Sequence, residues 1–190
     1  MKRVEPTEFA ARAVSTDVGR YNLQSAWRQD TRVIGCDGYR LHWVEGLEPV
    51  EGYQYVDGIG GVPPNVNVVI KRLAAVAVVA TWKPTRDEIK SLKTLIKLSE
   101  PGRVRVSTLE IADRVRLLGP TDTLVQWHLP LTATPIRTDI RIGLQLRYLL
   151  DALIPGVYHY IHLGDDQIRI TYGGAYETYH ALIGQCQLDD

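Results

Sequence analysis

A weak internal repeat restricts the fold of this chain more than any other feature of its sequence. A helical pattern followed by several short β-type segments occurs three times, with a period of about 50 residues. In the first copy the helical pattern covers residues 6–14, and the β segments cover 22–27, 31–36 and 39–44. Asp30 and the Asp37-Gly38 pair carry the turn chemistry that separates these segments. Units of this kind predict an α+β fold.

The second copy contains the best-marked helix of the chain. Thr85-Arg86-Asp87-Glu88 is a capping box, and apolar residues from Ile89 to Ile96 then recur on one helical face. Pro101-Gly102 is expected to end this helix near Ser99. Short strands are predicted at 103–107, 111–118 and 123–129, with breaks at Asp113 and Gly119-Pro120.

The third copy opens with an alternating strand and continues into a helix that Pro155-Gly156 closes. The strand is predicted at 139–144, the helix at 145–154, and further strands at 157–163, 167–172 and 175–183. The segment 45–81 is less clearly patterned. Its glycine- and proline-rich part, 58–64, is the expected domain boundary, and the apolar stretch 73–80 fits either a buried strand or a short helix.

Composition excludes several classes of protein. The 190 residues contain 22 basic and 22 acidic side chains, so a uniformly basic nucleic-acid-binding domain is excluded, and any such role must come from the arrangement of charge. No apolar run is long enough to span a membrane and no secretory signal begins the sequence, so we expect a cytoplasmic protein. Cys36 and Cys186 are too isolated to predict a disulfide framework or a zinc site. No glycine-rich loop predicts a nucleotide cofactor.

The second helix carries a cationic stripe. Arg86, Lys90, Lys93 and Lys97 follow one another at offsets of four, three and four residues, so they share one side of the helix. A duplex phosphate backbone is the commonest anionic partner of such a surface, and the alternative is a solvated helix face whose lysines serve solubility. Arg12 and Arg147 are further candidates on the first and third helices. No base-reading motif is present, so a DNA contact would be non-specific.

Three stretches of the chain carry motifs of a known family. Residues 16–23, which contain Arg20-Tyr21-Asn22-Leu23, are followed by Asp37-Gly38-Tyr39-Arg40-Leu41. These segments resemble the Arg-Tyr-x-Leu and Asp-Gly-His-Arg-Leu motifs in the middle domain of the beta clamp of bacterial DNA polymerase III. Residues 63–70 resemble the passage into its third domain, and residues 139–153 resemble a strand-to-helix entry within that domain. The resemblance therefore covers most of the chain.

The resemblance implies a DNA-clamp fold with helices on one face of antiparallel sheets. It equates residues 1–62 with a shortened middle domain and 63–190 with the third domain, as in a shortened, phage-like clamp that lacks the first domain. The family holds short peptides of polymerases and clamp loaders in a cleft between these domains. The matching positions are Leu23, Cys36, Gly38, Tyr39, Arg40, Leu41, Pro64, Val69, Leu182 and Gly184. Apolar walls with few polar groups suit an extended peptide.

Three functions are open from the sequence. The first is a homo-oligomeric processivity factor that contacts or encircles duplex DNA non-specifically and binds replication partners through the cleft. The second is a clamp-derived module that engages replication proteins without encircling DNA. The third is a small enzyme with a site near Asp37, His42 or His128, which no motif favours. We therefore expect a protein without catalytic residues.

Overall fold

The computed structural model describes residues 4–57, 61–72, 76–98, 106–120, 126–165, 167–174 and 176–186, without the side chain of residue 21. The chain divides into unit 1, which comprises Met1–Val76 and Thr171–Leu182, and unit 2, which comprises Ala77–Ile170 and Ile183–Asp190. The sequence-based boundary at residue 62 separates the segments that resemble the clamp's middle and third domains. That assignment stays a prediction.

Unit 1 is built around the long hairpin of β1 and β2. Its elements are α1 (Pro6–Ala11), a 3₁₀ helix (Val18–Leu23), β1 (Trp27–Cys36), β2 (Arg40–Tyr55), α2 (Asn67–Arg72), the end of β10 (Gln167–Gly173) and most of β11 (Thr178–Gly184). The strand order in this unit is β1-β2-β11-β10. Helix α1 packs on the hairpin through Phe9 and Ala10, which are fully buried.

Two sequence predictions in unit 1 are wrong. Much of the segment 22–27 is not a strand, because Asp17 caps a 3₁₀ helix by accepting a hydrogen bond from Gly19 N at 2.9 Å, and β1 begins only at Trp27. Asp30 is not a turn between strands. It lies inside β1 at a break in the register with a φ of 51°, a conformation that aspartate adopts more readily than most residues.

Unit 2 holds a second sheet and the two longer helices. Its elements are β3 (Val78–Trp82), α3 (Arg86–Leu98), β4 (Ser107–Ile111), β5 (Val115–Leu118), β6 (His128–Pro130), β7 (Thr134–Pro135), β8 (Ile140–Leu144), α4 (Leu146–Ala152) and β9 (His159–Leu163), with the start of β10. Strands follow the orders β10-β9-β3-β7 and β6-β5-β4-β8. Helix α3 packs against α4, with Leu92 and Leu149 buried. No helix in the described residues is long and apolar enough to cross a membrane.

Several predictions in unit 2 are shifted or shortened. The strand expected at 111–118 is wrong, because Ile111 ends β4 and a turn at 112–114, closed by Ala112 N to Arg114 O at 3.0 Å, precedes β5. The apolar stretch 73–80 leads into strand β3, while 73–75 lie outside the described residues, as do 103–105 and 123–125 of two other predicted strands. The strand at 139–144 is confirmed as β8, and the helix that follows it ends earlier than expected, at Ala152.

Candidate functional site

Helix α3 begins at the capping box that the sequence predicts. Glu88 N donates to Thr85 Oγ1 at 3.1 Å, and Thr85 N donates to Glu88 Oε2 at 2.7 Å. The reciprocal bonds satisfy two backbone groups that would otherwise lack partners at a helix start. The capping box therefore fixes the residue at which the helix begins.

The Glu88 carboxylate is turned into unit 2 rather than toward solvent. Besides the cap, it accepts hydrogen bonds from Thr132 N at 2.6 Å and from the Trp82 indole at 3.3 Å, and the side chain is only 7% exposed. Burial alone would raise the pKa of Glu88, but these hydrogen bonds outweigh it and hold the pKa below its ordinary value. Glu88 is therefore hydrogen-bonded inside unit 2 and does not neutralise the basic side chains of the helix.

The four cations of α3 are all exposed, as their spacing predicts. Arg86, Lys90, Lys93 and Lys97 lie on the solvent side, whereas Leu92 is fully buried. Within the described residues none of the four has a carboxylate oxygen within 4.0 Å, so no ion pair neutralises them there. Asp87 is the only exposed acid on the helix. We call the four residues the α3 cationic stripe, and it presents a mostly positive surface.

The two further cation candidates differ from each other. Arg147 is exposed on α4, the helix against which α3 packs. Arg12 follows α1 in unit 1, is half-buried, lies 3.6 Å from Glu8 and sits over the Phe9 ring at 5.8 Å. Arg12 therefore covers the core of unit 1 and is partly neutralised, whereas Arg147 is available to a ligand.

Part of the predicted cleft forms one apolar cluster in unit 1. Leu41 and Leu182 are buried there with Trp27, Ile34, Trp43 and Val66, and Cys36 and Val69 pack against them half-buried. Burial raises the pKa of the Cys36 thiol, so it acts as a small apolar group in this setting. The structure thus brings together four of the ten cleft residues. Whether they hold a peptide stays a prediction.

Beside this cluster, the β1–β2 turn is held by charge. Asp37 accepts from Tyr39 N and Arg40 N at 2.9 and 3.0 Å and from Arg40 Nε at 3.0 Å. Arg20 crosses the turn, donating to the Asp37 carbonyl and lying over the Tyr39 ring at 5.1 Å. Gly38 has a φ of 92°, and a Cβ there would approach the Arg20 guanidinium to 2.6 Å. Arg40 is therefore buried as a turn-holding residue, while Tyr39 is 61% exposed.

The remaining cleft positions are not among the residues of this cluster. Leu23 ends the 3₁₀ helix half-buried, and its carbonyl accepts from Ser15 N at 2.8 Å. Pro64 is half-buried two residues before the buried Val66. Gly184 is the last residue of β11 and belongs to unit 2.

Asp37 and His42, which were considered for an enzyme, are engaged in structural contacts. The Asp37 carboxylate is occupied by the turn, and His42 is fully buried with Nδ1 3.2 Å from the Phe9 carbonyl. Burial lowers the pKa of His42 to about 3, so it is a neutral core residue. His128 lies on β6 opposite Leu118. Among the described residues, no three His, Cys, Asp or Glu side chains lie close enough to hold a metal ion.

An exposed pair of tyrosines was missed at the sequence level. Tyr158 and Tyr160 alternate with buried residues at the start of β9, and the Lys83 ammonium lies 5.0 Å from the Tyr158 ring centre. A Tyr-x-Tyr pattern whose intervening histidine is buried is the signal that would have revealed them.

The fold matches solved sliding clamps. The Caulobacter crescentus beta sliding clamp gives a TM-score of 0.71 at 14% identity, covering 96% of this chain and 62% of that chain. The beta subunit of Pseudomonas aeruginosa DNA polymerase III gives 0.72 at 10% identity, covering 96% and 63%. The Bartonella birtlesii sliding clamp, bound to griselimycin, gives 0.70 at 16% identity, covering 94% and 62%. No protein-family profile and no curated protein sequence matches the chain.

The chain therefore has the DNA-clamp fold, an α+β fold with two antiparallel sheets. The particular resemblance is to the beta sliding clamps of bacterial DNA polymerase III, and it is confirmed at the level of the fold. The chain spans about 62% of the length of these clamps.

Proposed function

We propose that this chain is a non-enzymatic, clamp-type processivity factor that contacts duplex DNA through the α3 cationic stripe. One observation supports this proposal most strongly. Four exposed cations without ion-pair partners among the described residues lie on one helix of a clamp fold. Glu88 of the same helix is buried and hydrogen-bonded within unit 2. Cations without internal partners are free to neutralise phosphates and release counterions. Such contacts carry no sequence information, which suits a protein that must move along DNA.

The proposal includes self-association, because a chain of this size must form a closed assembly to encircle DNA. Retention on a nicked circular duplex, compared with the same duplex linearised, measures encirclement. We expect protein assembled on the circle to survive a high-salt wash and to be lost from the linear form, because a closed ring leaves only over a free end. The mass in solution should exceed that of one chain. Equal loss from both forms, with a monomeric mass, would contradict encirclement.

The apolar cluster of unit 1 favours a second candidate function, a module that binds peptides of replication proteins without encircling DNA. The half-buried Val69 packs against the buried Leu41 and Leu182, and the exposed Tyr39 lies on the β1–β2 turn between Cys36 and Leu41 of the same cluster. This function predicts a stable monomer whose peptide binding is lost when Val69 is changed to glutamate and is retained when the exposed Val62, seven residues earlier, is changed in the same way. The two functions therefore differ in both mass and DNA retention.

A further inference from the structure

A row of side chains crosses three strands of unit 2 on one exposed sheet face. Tyr160 on β9 is paired with Thr81 on β3, and Thr81 is paired with Thr134 on β7. Directly opposed residues of antiparallel strands project to the same face, so these three side chains are neighbours. Tyr158 and Lys83 lie two residues from Tyr160 and Thr81 and extend this surface. We call Tyr158, Tyr160, Thr81 and Lys83 the tyrosine face.

The tyrosine face is open, and the opposite face of the same strands is closed. Tyr158 is 62% exposed and Tyr160 is 46% exposed, whereas the alternating residues Trp82 and His159 are 1% and 0% exposed. The two tyrosines are therefore surface residues and do not belong to the core. Two exposed aromatic rings two residues apart at the start of a strand are well placed to stack with flat ligands.

The charge of this face points to an anionic ligand. The Lys83 side chain is exposed, and its ammonium is 5.0 Å from the Tyr158 ring centre. The four strands β3, β7, β9 and β10 contain no aspartate or glutamate. The face therefore combines stacking surfaces with positive charge and no carboxylate from its own strands.

We propose that the tyrosine face binds single-stranded nucleic acid. Unpaired bases expose their flat faces for stacking on tyrosine, and the phosphates between them match Lys83 in charge. A duplex hides its bases, so this ligand is distinct from the one proposed for the α3 cationic stripe. An acidic peptide would satisfy the cations but would not use two adjacent exposed rings.

Unit 1 offers a matched control. Tyr53 is 46% exposed, the same fraction as Tyr160, but it lies on β2, whose sequence includes Glu45, Glu48 and Glu51. Equal exposure on a strand that contains three glutamates makes Tyr53→Ala the test of whether any exposed tyrosine is sufficient.

The experiment measures fluorescence anisotropy of a labelled oligo(dT) of about 20 nucleotides at low salt, beside a labelled duplex. We expect the full chain to bind oligo(dT), and Tyr158→Ala/Tyr160→Ala to weaken that affinity by about tenfold or more without changing duplex binding. Tyr158→Phe/Tyr160→Phe should keep affinity within about twofold, because stacking needs the ring and not the hydroxyl. Tyr53→Ala should behave as the unchanged chain.

Three results would overturn the proposal: no oligo(dT) binding by the unchanged chain, equal binding by the double alanine variant, or an equal loss on Tyr53→Ala. Substituting Lys90, Lys93 and Lys97 by alanine separates this proposal from the previous one. Loss of duplex binding with oligo(dT) binding kept supports both sites. If oligo(dT) binding is lost only in that variant, single strands bind α3 and the tyrosine face does not.

Discussion

Helices α1 and α3 open two copies of the same helix-plus-strand repeat, yet they are held in different ways. Helix α1 has six residues and no side-chain cap, and it is fixed by contact, since a Cβ at Gly35 would lie 2.0 Å from the Ala10 carbonyl oxygen. Helix α3 has thirteen residues and a closed capping box. Tertiary packing thus holds the first helix, and local sequence defines the second.

The two helices also differ in their charge. Arg12 at the end of α1 lies against Glu8 and Phe9, whereas the α3 cationic stripe has no acid partner among the described residues. A cation is therefore not a binding residue merely because it lies on a helix of the repeat. A cation without an internal partner is the one that can bind phosphate.

Acid should have the largest effect on stability, because each unit buries a neutral histidine. Burial lowers the pKa of His42 in unit 1 to about 3 and that of His159 in unit 2 to about 4, from an ordinary 6.5. The unfolded chain binds these protons first as pH falls, so protonation favours unfolding below pH 6.5. We expect the free energy of unfolding, measured by urea titration, to fall by on the order of 5 kcal/mol between pH 7.5 and 4.5.

The two histidines should make the two units respond differently to acid. The free energy of opening in unit 1, taken from hydrogen-exchange protection factors after correction for the intrinsic pH dependence of exchange, should continue to fall down to about pH 3, whereas the contribution of His159 in unit 2 should level off near pH 4. Unfolding free energies that do not change between pH 6.5 and 4.5 would show that these side chains are not buried and neutral.

A substitution at Gly35 tests whether contact holds α1. Because a Cβ there would lie 2.0 Å from the Ala10 carbonyl oxygen and 2.7 Å from its carbon, Gly35→Ala must displace the helix from the hairpin. We expect a loss of about 3 kcal/mol in unfolding free energy, measured by urea denaturation. Gly173→Ala, where no atom lies within 4 Å, is the control and should change it by less than about 1 kcal/mol. Equal effects would mean that α1 is not held by this contact.

The sequence predicts the parts of the fold that local chemistry determines. The capping box places α3, and alternation places β8, because both signals act within a few residues. The distal half of β2 was not predicted, because Gly46, Pro49 and Gly52 are typical of loops and the strand is kept extended there by pairing with β1. Asp30 was misassigned for the same reason, since its bulge exists only in the context of the partner strand.

The candidate sites also contain some features that local sequence predicts and others that depend on the fold. Helical spacing was enough to predict that the α3 cations share one exposed side. The grouping of Leu41, Val69 and Leu182 rests on family resemblance, because these residues are far apart in sequence and only the fold brings them together. The tyrosine face depends on the pairing of β9 with β3, which no local pattern indicates.

The salt dependence of duplex binding measures how many phosphates the α3 cationic stripe contacts. Each phosphate contact contributes about 0.9 to the slope of log affinity against log salt concentration. Changing Lys90, Lys93 and Lys97 to alanine should therefore lower the magnitude of that slope by about 2 to 3 without altering stability, because all three side chains are exposed. Lys71→Ala/Arg72→Ala on α2 serves as the control for lost surface charge. An unchanged slope in the triple variant, or an equal reduction in the control, would contradict the assignment of α3 as the DNA-contacting helix.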